Sequence, residues 1–110
     1  MRPRNRMLDS AKALESAGAD IVLLECIPLR ARQEASPRRC EVPVIGIGAG
    51  PDTDGQILVL YDVLDITSGR KPRFVKNFME GASSNLDALQ RYVQAVKQKT
   101  YPAPEHEFHA

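Results

Sequence analysis

Gly18-Ala19-Asp20-Ile21-Val22-Leu23-Leu24-Glu25-Cys26-Ile27-Pro28 is the stretch on which the fold turns. Ile21-Val22-Leu23-Leu24 is a continuous apolar run that includes β-branched residues. Such a run suits a strand buried on both faces, as in a parallel sheet, whereas a half-exposed strand would alternate. Pro28 closes it, since proline has no N–H to give to a ladder. Just upstream, Met7, Ala11, Leu14 and Ala17 fall at helical spacing. Gly18 then supplies the left-handed residue at which a helix stops. Helix, tight stop and buried strand together predict a parallel α/β unit.

Working outward, a second buried run is Val42-Pro43-Val44-Ile45-Gly46-Ile47, which opens into Gly48-Ala49-Gly50-Pro51. Parallel strands need a crossover between them and neighbours on their faces. Two strands cannot satisfy that need alone, so the chain reads as a segment of a larger sheet or barrel. For Ile57 to Leu64, periodicity alone leaves helix and strand open. Asp54 as N-cap favours a helix there. Residues 68–72 form a turn, and Phe74, Val75, Phe78 and Met79 suggest a short helix after it. Leu86, Leu89, Val93 and Val96 make one apolar stripe of a helix, with Ser84 and Asp87 as a capping box. Pro102 and Pro104 predict an extended tail from Tyr101 onward. No internal repeat or low-complexity tract is present.

Composition narrows the function classes. The 110 residues are 43% hydrophobic and 26% charged, ordinary material for a globular fold. Fifteen Lys and Arg against 14 Asp and Glu leave a net charge of +1. No long-range field draws such a chain to nucleic acid or to an anionic membrane. Arginines do gather at Arg2, Arg4 and Arg6 and again from Arg30 to Arg39, which reads as solvated charge. Cys26 and Cys40 are too few for a disulfide framework or a zinc site, so a reducing, cytoplasmic compartment is expected. No apolar stretch of signal-peptide length follows the first arginines. The longest apolar run, Ile57 to Tyr61, is too short to cross a bilayer.

One residue stands out for chemistry. Glu25 follows four apolar residues, and a carboxylate there costs free energy unless it is paired or put to use. The residues themselves leave both a catalytic base and a structural ion pair open. Gly46-Ile47-Gly48-Ala49-Gly50 invites a phosphate-loop reading, but it lacks the Lys-Ser/Thr ending and the dinucleotide-binding spacing. A tight strand-to-loop turn, where close neighbours leave no room for a side chain, suits it better. Cys26 points the opposite way from Glu25 along the strand and reads as a buried packing residue. Asp52, Asp54 and Asp62 suit caps and turns. His106 and His109, near Glu105 and Glu107, look superficially like a metal cluster; tail solvation or a subunit contact is favoured.

Several segments carry more than composition does. They are Ala11-Lys12-Ala13-Leu14-Glu15, Ala17-Gly18-Ala19, Leu24-Glu25-Cys26-Ile27-Pro28 and Pro43 through Gly50. Asp54 through Val59, Pro72 through Phe78, Tyr101-Pro102 and Pro104-Glu105-His106 continue the series. In this order and spacing the chain resembles the C-terminal part of the ketopantoate hydroxymethyltransferase family. The resemblance implies a (β/α)8 TIM barrel of the phosphoenolpyruvate/pyruvate type, of which residues 1–110 form an incomplete C-terminal segment. Ile21–Cys26 would be its seventh strand and Val44–Gly48 its eighth.

The family transfers a hydroxymethyl group from 5,10-methylenetetrahydrofolate to 3-methyl-2-oxobutanoate, giving ketopantoate for pantothenate and coenzyme A biosynthesis. By resemblance, Glu25 is the proton acceptor at C3 of the oxo acid, and Mg2+ on the neighbouring carbonyl stabilises the carbanion. The family's metal carboxylates and its substrate-binding serine and lysine lie upstream, so no metal ligand is expected here. Folate-binding residues stay unassigned. A cytoplasmic homo-oligomer, a decamer in the family, is implied, and the segment by itself should be inactive.

The likeness lapses from Leu29 to Glu41, where Pro37 and four arginines replace an amphipathic helix. Back-translated with chosen codons and read one base later, Leu29 to Ala35 yields Ser-Glu-Leu-Ala-Arg-Lys. That is what the family's helix looks like after Ile-Pro or Val-Pro. A partly misread frame and an irregular connection are expected there. Met1 to Arg6 match nothing in the family. The alternative to an enzyme segment is a truncated, non-catalytic interaction module. A related lyase cleaving a C–C bond is a third reading, against which Leu24 to Pro28 and Asp54-Gly55-Gln56 argue.

Overall fold

In a computed structural model, which describes residues 3–28 and 40–108, helix α1 (Pro3–Ser16) ends where Gly18 turns to φ +106°. The Gly18 N–H donates to the Glu15 carbonyl at 3.1 Å and the Ala19 N–H to the Leu14 carbonyl at 3.0 Å. This pair of bonds satisfies carbonyls that the helix end would otherwise leave unpaired. The chain then enters β1 (Val22–Glu25), which pairs in parallel with β2 (Val44–Ile47), Val22 opposite Val44 and Glu25 opposite Ile47. The parallel α/β unit is therefore present.

A third parallel strand, β3 (Gly55–Gln56), lies on the far side of β2 and makes the order β1-β2-β3. It stands where a helix started by Asp54 was expected. Asp54 instead accepts the Val44 N–H on its carboxylate at 2.8 Å and gives its own N–H to the Val44 carbonyl at 2.8 Å. The Ile57 N–H reaches the Gly46 carbonyl at 3.0 Å. Pairing the free edge of β2 takes precedence over starting a helix, because a strand interior leaves no backbone group idle. Helix α2 is only Leu60–Val63, with Val59 before it and no side-chain cap.

Two apolar clusters form. Ala11, Val22, Leu24, Ile27, Val44 and Ala49 pack between α1 and the sheet. Val63, Phe78, Ala88 and Tyr101 pack around helix α3 (Asn85–Lys97). β1 is buried on one face only: Leu23 is 51% exposed and Ile21, just before the strand, is 60% exposed. The expectation of two buried faces fails because α1 covers one side and, among the described residues, nothing packs over the other.

Residues 73–80 form no helix, where a short one was expected; 73–74 and 78–80 are turns. The Phe78 N–H is drawn to the Val63 carbonyl at 3.1 Å and Asn77 accepts the Met79 N–H at 2.9 Å, so helical bonds do not form. Phe74 and Phe78 are nevertheless buried. α3 has the cap read from sequence: Ser84 Oγ accepts the Asp87 N–H at 3.0 Å. Asp87 reaches back to the Ser83 N–H at 2.9 Å, one residue earlier than a capping box would have it. The tail is not simply extended, since Pro104–His106 forms a 3-10 turn closed by His106 Nδ1, which accepts the Ala103 N–H at 2.9 Å. The frame-shift expectation covers residues 29 to about 41, of which 29–39 lie outside the described residues, as does His109.

Candidate active site at the carboxyl ends of the strands

Glu25 is the last residue of β1, level with Ile47 at the end of β2. Val22 and Leu24 turn towards α1, so the alternation of the strand puts Glu25 on the opposite face with Leu23. Its carboxylate is exposed, because among the described residues nothing packs over that face.

Cys26 leaves the strand at φ +53°, with its N–H donated to the Ile47 carbonyl at 2.9 Å. It is exposed, contrary to the buried packing role expected of it. The left-handed backbone turns the chain out of the sheet at this residue, so the alternation that would have buried Cys26 ends one position earlier. Partial burial and, second, the charge of Glu25 push its thiol up from the ordinary value. Less of it is thiolate at neutral pH, the opposite of an activated nucleophile.

The glycine-rich stretch behaves as a tight turn. Gly48 lies at φ +66°, and a Cβ on it would come within 2.8 Å of the Phe74 ring and 3.4 Å of Cys26 Sγ. A Cβ on Gly46 would sit 3.0 Å from Thr53. The loop beyond is braced by Gln56, whose Nε2 donates to the Gly50 carbonyl at 2.7 Å and to Thr53 Oγ1 at 2.9 Å.

Three contributors escaped the reading from sequence. Phe74 closes over Gly48, Gln56 ties the loop to β3, and Glu15 on α1 accepts the N–H groups of Glu41 and of Val42, the latter at 2.9 Å. Glu15 thereby fixes the entry to β2 from a helix earlier in the chain. None has a periodic signal; an acid at the last turn of a helix and an amide after Asp-Gly are unremarkable as letters. Among the described residues no three His, Cys, Asp or Glu side chains come together as a metal site. His106 spends Nδ1 on Ala103 and lays its ring against Tyr101 at 5.0 Å. No helix among the described residues is long and apolar enough to cross a membrane.

The three parallel strands with a helix against one face make this an α/β segment, a class of fold whose ligands bind at the carboxyl ends of the strands. The family model described as ketopantoate hydroxymethyltransferase matches residues 2–104, and the chain belongs to that family. It is 59% identical over 102 residues to the 3-methyl-2-oxobutanoate hydroxymethyltransferase of Alkalilimnicola ehrlichii, covering 93% of this chain and 36% of that protein. It is 55% identical over 102 residues to 3-methyl-2-oxobutanoate hydroxymethyltransferase 2 of Hahella chejuensis, covering 93% of this chain and 38% of that protein. With the enzyme of the same name from Chromobacterium violaceum it shares 52% over 103 residues, 94% of this chain and 39% of that protein. The chain thus spans well under half the length of these relatives.

Proposed function

We propose that this chain is the C-terminal segment of a (β/α)8 barrel, residues 1–110 contributing its last two strands, and that Glu25 is the base of a hydroxymethyl transfer. The substrate is 3-methyl-2-oxobutanoate, the donor 5,10-methylenetetrahydrofolate and the product ketopantoate, in a cytoplasmic homo-oligomer. The observation that supports this best is the position of Glu25: the end of β1, on the sheet face away from α1. In a closed barrel that face is the interior, and its carboxyl end is where substrates bind.

The Glu25 carboxylate takes the proton from C3 of the oxo acid. The C–H electron pair moves into the adjacent C2 carbonyl, giving an enolate, and returns to form the new bond from C3 to the donor's methylene carbon. Both bonds from that carbon to the folate nitrogens break, water supplies the hydroxyl oxygen, and the protons from water and from C3 end on that hydroxyl and on the two nitrogens of the departing tetrahydrofolate. Enclosure by the strands absent from this chain would remove water from Glu25 and strengthen it as a base. Mg2+, when bound, would stabilise the enolate through the C2 carbonyl; among the described residues no three ligating side chains come together. Ligands for the ion and for folate are assigned to the portion of the relatives' length that this chain does not span. By itself the chain is inactive.

Glu25→Gln in the complete barrel keeps the shape and removes the base. Turnover should fall by roughly 10²–10⁴, with substrate binding much less affected. Deuterium exchange at C3 of the oxo acid, measured without folate, isolates the proton step. Exchange at the normal rate in the variant would sink the role of Glu25.

A further inference from the structure

The ring of Phe74 occupies the one place on the β1–β2 ends where a side chain on Gly48 would have to go. A Cβ there would lie 2.8 Å from Phe74 Cδ1, 3.1 Å from its Cγ and 3.4 Å from Cys26 Sγ. Ring and thiol therefore both border the space beside Gly48, a residue beyond the register pair of Glu25 and Ile47. The Cys26 N–H on the Ile47 carbonyl, at 2.9 Å, joins the two strand ends there.

Phe74 belongs to no helix or strand, yet it is held from behind. Tyr101, only 3% exposed, donates its hydroxyl hydrogen to the Phe74 carbonyl. Arg73 donates to the Glu107 carbonyl at 3.4 Å and stands 6.0 Å above the Phe108 ring, which lies 6.4 Å from Phe74. The C-terminal segment thus clamps a loop residue onto the ends of the two strands. Cys26 at φ +53° needs such a clamp, because a left-handed backbone is unfavourable for a residue with a Cβ and persists only where its surroundings hold it.

We propose that Phe74 is a positioning residue for the strand end that carries Glu25: lodged on Gly48 by residues 101–108, it holds the left-handed turn at Cys26 by which the chain leaves β1. Its functional sense rests on Glu25 being the base, but its geometry can be tested without any activity. Cys26 is the reporter, since its thiol feels both the local burial and the charge of Glu25.

The experiment follows iodoacetamide alkylation of the whole chain against pH, resolved by peptide mass, with Cys40 as the internal reference. In the native chain, Glu25→Gln should lower the Cys26 titration midpoint and speed its alkylation near neutrality. Phe74→Ala should raise the Cys26 rate by about threefold or more, because releasing the thiol from its neighbours increases its thiolate fraction and access. It should also change the size of the further effect of Glu25→Gln, and leave the Cys40 rate unchanged. Gly48→Ala, which pushes the ring away rather than removing it, should reproduce both results. Phe74→Leu, which refills most of the space, should restore the native profile.

Native Cys26 behaviour in both Phe74→Ala and Gly48→Ala, with circular dichroism unchanged, overturns the proposal. So does an equal rise at Cys26 and Cys40, which would mean general loosening. The base reading fails separately: Glu25→Gln would leave C3 exchange intact in the complete barrel while still shifting the Cys26 midpoint.

Discussion

Tyr92 and Tyr101 stand 6.1 Å apart, ring to ring, and show how differently two phenols can be used. The Tyr101 hydroxyl donates to the Phe74 carbonyl, and burial pushes its ionisation far above the ordinary range. The Tyr92 hydroxyl is buried with no partner among the described residues, and burial pushes its ionisation up too. Its ring alone is useful, set edge-on to Phe78 at 5.3 Å. Because an unmet buried hydroxyl is unfavourable, Tyr92→Phe should leave stability unchanged or raise it by up to ~1 kcal/mol in equilibrium denaturation. A loss larger than that would reveal a partner for the oxygen. At this scale Glu25 was legible because an acid breaks an apolar run, whatever the three-dimensional context. Cys26 and Phe74 were not. The left-handed φ that exposes Cys26 is set by the turn after the strand, and Phe74 reaches Gly48 across a loop, so neither has a spacing to betray it.

Elements that carry their own hydrogen-bonding instructions were the readable ones. Gly18 stops α1, Ser84 caps α3, and apolar runs mark β1 and β2, all from neighbouring letters. β3 is two residues long and has no periodicity of its own; only the free edge of β2 makes it a strand. The tail turn at Pro104–His106 depends in the same way on a partner, the His106 ring nitrogen that accepts from Ala103. That acceptor brings a pH dependence. Burial holds the His106 pKa below its ordinary 6.5, Glu105 opposes this and Lys76 adds to it. The unfolded chain therefore binds the proton first. The contribution of His106 is complete above 6.5 and is lost as pH falls through that value towards the lower folded one. The thermal midpoint of the native chain should drop between pH ~7.5 and ~5, and His106→Gln should flatten that part of the drop, as befits a group titrating in this window. An identical drop in the variant would remove His106 as its source.

For the molecule as a whole, the chief consequence is an unfinished surface. The outer edge of β1 offers backbone donors and acceptors to no strand among the described residues. Beside it Ile21 is 60% exposed and Leu23 51%, and Leu14 on α1 is 53% exposed. A strand edge flanked by apolar side chains is a template for pairing with another chain. Each apolar cluster is also small, and a core of this size supplies little surplus over the entropy of ordering the chain. Both effects favour association over an independent monomer. The 110-residue chain should therefore self-associate, with an unfolding midpoint that rises with protein concentration, as mass action requires of a species stabilised by its own copies. Sedimentation equilibrium and denaturation at two concentrations measure this directly. Leu23→Lys places a charge on the exposed face beside the open edge, at a side chain already 51% exposed, so it should weaken association while sparing the monomer fold. The same substitution would disable a complete barrel, where this face is the proposed interior. A monomer unfolding in one sharp transition, independent of concentration, would show that the three strands need no further covering, and the chain would then be a self-sufficient domain rather than a segment.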